Sequence, residues 1–410
     1  MQYSPHLPVV HIDVKRISRN FEFVKKITSN QADSLPTARL PRIGGGDDVL
    51  FPWPTQLAVT KADSYGHGHI QVSNELLTVG AKLFASGSVQ ESVMLRKGLT
   101  QQGSLVPPII ALLGFVTRED VFLCAANGII PMLHSFDQLG LLAGTEQDLA
   151  VVIKCNTGMS RLGFNEDQLP QLRDLLKKRF PRVRPVIAIS HMHTADSEQG
   201  KEVIATQGAK FARMLASLRE DWPDLAASLG NSAGSLLAGE VYKHIGPHVC
   251  RPGVALYGTN PFNGTSHAPV GAGLQNAMAV KTPILAIRTL KKGEGIGYGQ
   301  TFIAPKDTQV GIIAAGYADC FARSLSNKGE VCVEGIRAPI LGRVSMQMTA
   351  VDLSALPGKE NDRPEFAWIL GGPHPNAVSI EELSRVWGTI TYEVMCLLGF
   401  NERVYGDLPE

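Results

Sequence analysis

The chain has 410 residues, 44% of them hydrophobic, enough to fill two or three domain cores. Lys plus Arg number 39 against 38 Asp plus Glu, a net charge of +1, which argues against nucleic acid or an anionic membrane as the main partner. No apolar run reaches the roughly 18 residues of a membrane span, and the opening MQYSPHLPVVHIDVKR has neither the basic start nor the apolar core of an export signal, so a cytoplasmic chain is expected. The six cysteines, Cys124, Cys155, Cys250, Cys320, Cys332 and Cys396, form no CxxC pair and read as free thiols.

The stretch from Asn30 to Gln56 holds Pro36, Pro41, Pro52, Pro54 and the run Gly44 to Gly46, and reads as an irregular loop or surface insertion. No GK[ST] follows the glycines, so they do not read as a phosphate cradle. From Leu57 to Tyr257, short apolar runs suited to buried parallel strands alternate with longer amphipathic stretches. The runs are Leu57–Thr60, Leu83–Ser86, Ile109–Leu113, Ile129–Leu133, Ala150–Ile153, Val186–Ser190, Ala226–Leu229 and Val254–Tyr257. Helices are predicted at Val89–Lys97, Glu166–Lys178 and Glu198–Arg219. Eight such units fit an α/β fold, a (β/α)8 TIM barrel. The Pro- and Gly-rich Asn260–Gly273 reads as a linker. Beyond it, Ala279–Thr289, Val310–Ala315, Val331–Val333 and Thr349–Leu353 alternate with period two, and a helix is predicted at Ile380–Trp387. The expected division is a barrel over residues 1–258 and a mostly antiparallel β-domain over 259–410.

Barrel enzymes place their chemistry at the C-terminal ends of the strands. Lys61 follows the first run, Lys154 the fifth, His191 the sixth, and Asn231 with Ser232 the seventh; Arg251 lies just before the eighth. A lysine where an apolar strand meets the loop GHG is partly desolvated, which favours the neutral amine. That suits a Schiff-base lysine, most commonly one that carries pyridoxal 5'-phosphate. Position alone leaves open a lysine that only snorkels to the rim. His191 and His193 stand at metal-binding spacing, but no third ligand is apparent, so no metal is expected. Gly293, Gly295, Gly297 and Gly299 alternate without opening a helix, which argues against a dinucleotide loop.

The string AVTKADSYGHG resembles the cofactor-attachment motif of the alanine racemase family. MSRLGF, SHMHTAD, GNSAG, RPGVALYG, GIGYG, AAGYAD and GRVSM also resemble motifs of that family and occur in its order. The resemblance runs from His11 to near the C-terminus. It implies a barrel that binds pyridoxal 5'-phosphate, followed by a β-domain, in a homodimer with shared active sites that racemises alanine as an isomerase. Lys61 would carry the cofactor and act as one base. Tyr298 of the second subunit would act as the other, with His191 and Arg251 beside it. Arg251 would face the cofactor's ring nitrogen. Tyr65, Ser232, Tyr392 and the backbone of Gly253 and Val254 would hold the phosphate, with Asn231 and Arg161 also at the cofactor. Arg161, Met346 and Tyr317 would meet or admit the substrate, and Lys154 would be carbamylated.

Three positions depart from the family pattern. Gln347 stands where Asp is usual, Cys320 where Gly is usual, and His193 where a small residue is usual. They bear on substrate range more than on reaction type, so a racemase of other or broad specificity is the alternative. A barrel-only, non-catalytic cofactor-binding protein would lack Tyr298 and the β-domain. A decarboxylase or aldolase on the same barrel sits poorly with Arg251.

Overall fold

The computed structural model describes residues 8–29, 36–40, 48–52, 54–103, 106–144, 147–357 and 363–408. They fall into two compact units. One comprises Ile17–Ser64 and His69–Gln275; the other comprises the segment ending at Arg16, Tyr65–Gly68 and the segment from Asn276 onward.

The first unit is built on parallel strands β1 (Ala58–Val59), β2 (Phe84–Ser86), β3 (Ile109–Ala111), β4 (Ile129–Leu133), β5 (Leu149–Lys154), β6 (Val183–Ile189) and β7 (Ala226–Ser228), each hydrogen-bonded to the next. Val59 pairs with Ala85, and Ile189 lies between Lys154 and Ser228, so the strand ends that carry polar residues stand level. The strands are apolar on both faces because helices cover them outside and their own side chains fill the interior. In the helix Gly200–Arg219, Ile204, Gly208, Phe211, Leu215 and Leu218 recur at helical spacing and are buried.

The eighth strand is not where the apolar run placed it. It is β8 (Val249–Cys250), which pairs in parallel with Thr55–Gln56 just ahead of β1. Val254–Tyr257 is instead a 3-10 helix between Gly253 and the left-handed Gly258, fully buried, with the Tyr257 hydroxyl donating to the Val59 carbonyl at 2.9 Å. Burial made the run apolar, and burial does not distinguish a strand from a tight turn. With this correction Arg251 directly follows a strand, as Lys61 and His191 nearly do.

The stretch before β1 is also more ordered than expected. Pro36–Leu40 and Val49–Pro52 form an antiparallel hairpin with Leu40 opposite Val49 and Ala38 opposite Phe51. Leu40 and Phe51 are buried, and Arg184 at the start of β6 grips Asp48 with bonds of 2.7 and 3.0 Å. That guanidinium holds the Asp48 carboxyl below the usual range. The hairpin is therefore fastened at the strand starts, the opposite end from the polar rim. Asn30, Pro41 and Gly44 to Gly46 lie outside the described residues.

In the second unit the long strand Met278–Leu290 pairs with Phe366–Leu370 over its first half and with Thr308–Ile313 over its second. Thr308–Ile313, Thr349–Asp352, Ile336–Leu341, Glu330–Val333 and Phe366–Leu370 follow one another as antiparallel neighbours, so the sheet returns on itself as a β-barrel. Val9–Ile12 extends it, antiparallel to Met278–Leu290 and parallel to Glu402–Tyr405. The predicted helix Ile380–Trp387 is present, started by the Ser379 hydroxyl, which accepts the Glu382 N–H. Among the described residues no helix is long and apolar enough to cross a membrane.

Cys320 ends a short turn at φ 59°, ψ 23°, in the left-handed region that disfavours a side chain. Cys320→Gly should raise unfolding stability in urea by roughly 0.5–1 kcal/mol, and Cys320→Val should lower it by about 1 kcal/mol or more. Equal stability of the three proteins would contradict this reading of the turn.

Candidate active site

Lys61 opens the turn Lys61–Gly66 at the end of β1 and is exposed, not partly desolvated as its place after an apolar run suggested, because the turn carries it out to the rim. Ala62, Asp63, Ser64 and Tyr65 have φ of 53°, 51°, 56° and 54°, so the turn winds left-handed over four consecutive residues that all bear a Cβ. Each such residue costs on the order of 1 kcal/mol, and the conformation persists only where its surroundings enforce it. The Ser64 N–H bonds back to the Thr60 carbonyl at 2.9 Å, and the Asp63 carboxylate accepts the His69 N–H at 2.8 Å.

The other barrel residues singled out in the sequence gather at the same strand ends. Arg251, buried, donates to the Ser228 hydroxyl at 2.7 Å and the Ser190 carbonyl at 2.5 Å, and lies 3.4 Å from His191 Nδ1. Burial lowers its pKa to about 10, so it remains a cation at neutral pH. Half-buried His191 is held well below its ordinary value by burial and by Arg251, Lys154, Lys61 and Arg161, and is neutral at pH 7. Lys154, the last residue of β5, is buried, and burial together with Arg251 and Arg161 brings its amine down to about 7. The loop bearing exposed Arg161 folds back on this strand end, with the Phe164 N–H donating to the Lys154 carbonyl at 2.9 Å.

Ser232 Oγ accepts two backbone N–H groups, from Gly253 at 2.9 Å and Ala255 at 3.3 Å. A hydroxyl has two acceptor positions and one hydrogen, so with these two bonds accepted the Ser232 O–H is left to act as a donor. Asn231 caps the helix Ser232–Leu236, accepting the Gly234 N–H at 3.1 Å, and adjoins the Met192 carbonyl. Val254 is buried at the start of the 3-10 helix.

In the second unit Tyr65 and Tyr392 lie with ring centroids 6.0 Å apart. Burial, then Tyr392 and Cys396, push the Tyr65 phenol above its ordinary value, so it stays a donor. Tyr298 is 70% exposed at the tip of the small hairpin Gly295–Ile296/Phe302–Ile303, where Gly297 and Gly299 adopt φ of 74° and 71°. Exposed Tyr317 and Met346 are neighbours: the Tyr317 N–H donates to the Ser345 carbonyl at 3.1 Å and the Ala318 N–H to the Met346 carbonyl at 2.9 Å.

Two of the three departures have visible partners. Gln347 hydrogen-bonds the Asp319 carboxylate, and the exposed His193 ring meets the Thr194 hydroxyl at 2.8 Å. Sequence reasoning missed Ser190, Ser228 and Glu91. The serines are strand-end residues with no motif of their own. Glu91 did carry a signal, the helix-start pattern Ser88-x-x-Glu91.

Fold and site together define a barrel enzyme with a lysine at the rim and a cationic floor, joined in sequence to a β-barrel domain. Residues 52–261 match the family "Alanine racemase, N-terminal domain" and residues 277–405 match "Alanine racemase, C-terminal domain". An alanine racemase of Nitratidesulfovibrio vulgaris is 45% identical over 86% of this chain and 92% of its own length. One of Lawsonia intracellularis is 40% identical over 85% and 90%. The crystal structure of the Bartonella henselae alanine racemase with covalently bound pyridoxal phosphate superposes with a TM-score of 0.78 at 27% identity, covering 98% of this chain and 99% of that one. The chain belongs to the alanine racemase family.

Proposed function

We propose that this chain interconverts L- and D-alanine with pyridoxal 5'-phosphate, by two bases drawn from two subunits of a homodimer. The observation that carries the reading is Lys61, an exposed amine on an enforced left-handed turn, in one electrostatic cluster with His191 and Arg251. The donor set fits the cofactor. Ser232 Oγ accepts from Gly253 and Ala255 and keeps its own O–H to donate, Val254 lies between those two residues, and the Tyr65 phenol, held protonated by burial, would be a donor suited to phosphate oxygens, with Tyr392 beside it. Arg251 keeps its proton, so it can donate to a ring nitrogen without transferring a proton to it. Bound pyridoxal phosphate supplies an electron sink for the charge left when the α-proton departs.

Racemisation needs a base on each face of the substrate. Lys61 Nζ removes or returns the proton on one face. The partner subunit's Tyr298 serves the other, and its 70% exposure in a single chain suits a group that reaches into a neighbour. A C2 dimer makes the exchange reciprocal. Arg161 and the Met346 backbone N–H would hold the substrate carboxylate, with Tyr317 at the entry.

Lys154 is suited to carbamylation because its buried amine is half neutral near pH 7. The neutral amine attacks carbon dioxide, an N–C bond forms as one C=O π pair moves onto oxygen, the nitrogen releases a proton to water, and the side chain is left as an anion near Arg161 and Arg251. Wild-type protein in 13C-bicarbonate should show a carbamate carbon by NMR that Lys154→Met lacks. No such signal, or one that survives the substitution, would contradict the modification.

The activity is tested by proton exchange and loss of optical rotation in D2O with L-alanine, L-serine, L-lysine and L-arginine. Alanine should be fastest, and a different preferred substrate would move the specificity to the alternative reading. Lys61→Ala and Tyr298→Phe should each lose about 10²-fold or more. Mixed and reassociated, the two variants should recover about a quarter of wild-type activity, because half the dimers are hybrids with one intact site of two. No exchange on any amino acid would contradict racemisation, and no recovery on mixing would contradict the shared site.

A further inference from the structure

The left-handed turn after Lys61 has a brace outside its own sequence. Glu91 lies in the first turn of the helix Val89–Gln101, which follows β2. Its N–H donates to the Ser88 hydroxyl at 3.0 Å, an ordinary N-cap. In a capping box its carboxylate would return to the Ser88 N–H. Here the carboxylate does something else. Oε1 accepts the Asp63 N–H at 2.9 Å, in the middle of the left-handed turn, and Oε2 accepts the Gly87 N–H at 2.6 Å, at the tip of the neighbouring loop. A Cβ at Gly87 would lie 2.9 Å from Glu91 Oε2 and 3.7 Å from Lys61 Cβ, so the braced loop runs directly alongside Lys61.

We propose that Glu91 is a positioning residue, which locks the turn Lys61–Gly66 in its left-handed form through Asp63 and so fixes where the Lys61 side chain leaves the backbone. An ionised carboxylate that accepts two backbone N–H groups makes stronger bonds than neutral acceptors do, and it ties the exits of β1 and β2 into one unit. In a right-handed turn the Asp63 N–H would point elsewhere and the Lys61 Cα–Cβ bond would start from a different path. Both Glu91 carboxylate oxygens are taken by backbone N–H groups, so it acts by aiming Lys61 rather than by contact with the reacting atoms. This inference rests on the reading of Lys61 as the cofactor-bearing base.

The test compares Glu91→Gln, Ser88→Ala and Lys61→Ala with wild-type holoenzyme. Glu91→Gln keeps the shape but turns an NH2 toward one of the two N–H donors. It should lower kcat at least about tenfold with KM for alanine within about twofold, and it should change the visible circular dichroism of the bound cofactor. Ser88→Ala removes the cap alone; it should lower Tm and leave kcat and the visible dichroism as in wild type. Hydrogen exchange in unmodified holoenzyme should show the Asp63 and Gly87 amides protected, a result that needs no variant to fold. Wild-type kcat and dichroism in Glu91→Gln, or fast exchange at both amides, would overturn the proposal. Persistence of the lysine-bound cofactor band in Lys61→Ala would instead overturn the reading of Lys61.

Discussion

Four consecutive residues with positive φ, Ala62 to Tyr65, form the constraint on which the site depends. L-amino acids avoid this conformation, and it carries a few kcal/mol of local cost. Stability elsewhere must hold it, and the parts that do are visible: the parallel pairing of β1 with β2, the Ser64 to Thr60 bond, the Asp63 carboxylate on His69, and the Glu91 carboxylate on Asp63 and Gly87. The reward is geometric. The strand ends and its successor leaves at once in an unusual direction, so Lys61 stands exposed at the rim rather than packed along a following helix. Strain of this kind belongs to positions where orientation decides chemistry.

The second determinant is the concentration of positive groups at the strand ends. Lys61, Lys154, Arg161 and Arg251 all act on His191, and burial weakens the screening among them. A guanidinium keeps its proton here and a buried amine keeps it only in part, so the cluster resolves into a fixed cation at Arg251, a neutral imidazole at His191 and a partly neutral amine at Lys154. Such a floor suits an anionic ligand, and it gives Lys154 reason to become an anion.

The alternation of apolar runs exposed most of the barrel to sequence reading, because strands buried on both faces leave unbroken hydrophobic segments. Seven of eight runs are strands. The exception, Val254–Tyr257, shows the limit: its burial comes from packing around Tyr257, while the true eighth strand has only two residues and no pattern to detect. The hairpin Pro36–Leu40/Val49–Pro52 was hidden by its prolines, which mark irregular chain by local preference but are tolerated where a strand pairs on one edge. Val9–Ile12 is too short to signal a strand in a sheet whose partners lie far away in sequence. Lys61, Lys154, His191 and Arg251 were legible because each sits by a strand end. Glu91 was not, because a pattern that starts a helix gave no sign that its carboxylate would be spent on a different loop.

A high-resolution crystal structure of the cofactor-loaded protein tests the central claim most directly. The account predicts density continuous from Lys61 Nζ into pyridoxal phosphate, with Ala62 to Tyr65 all at positive φ. A right-handed turn after Lys61, or the cofactor attached to a different lysine, would contradict it.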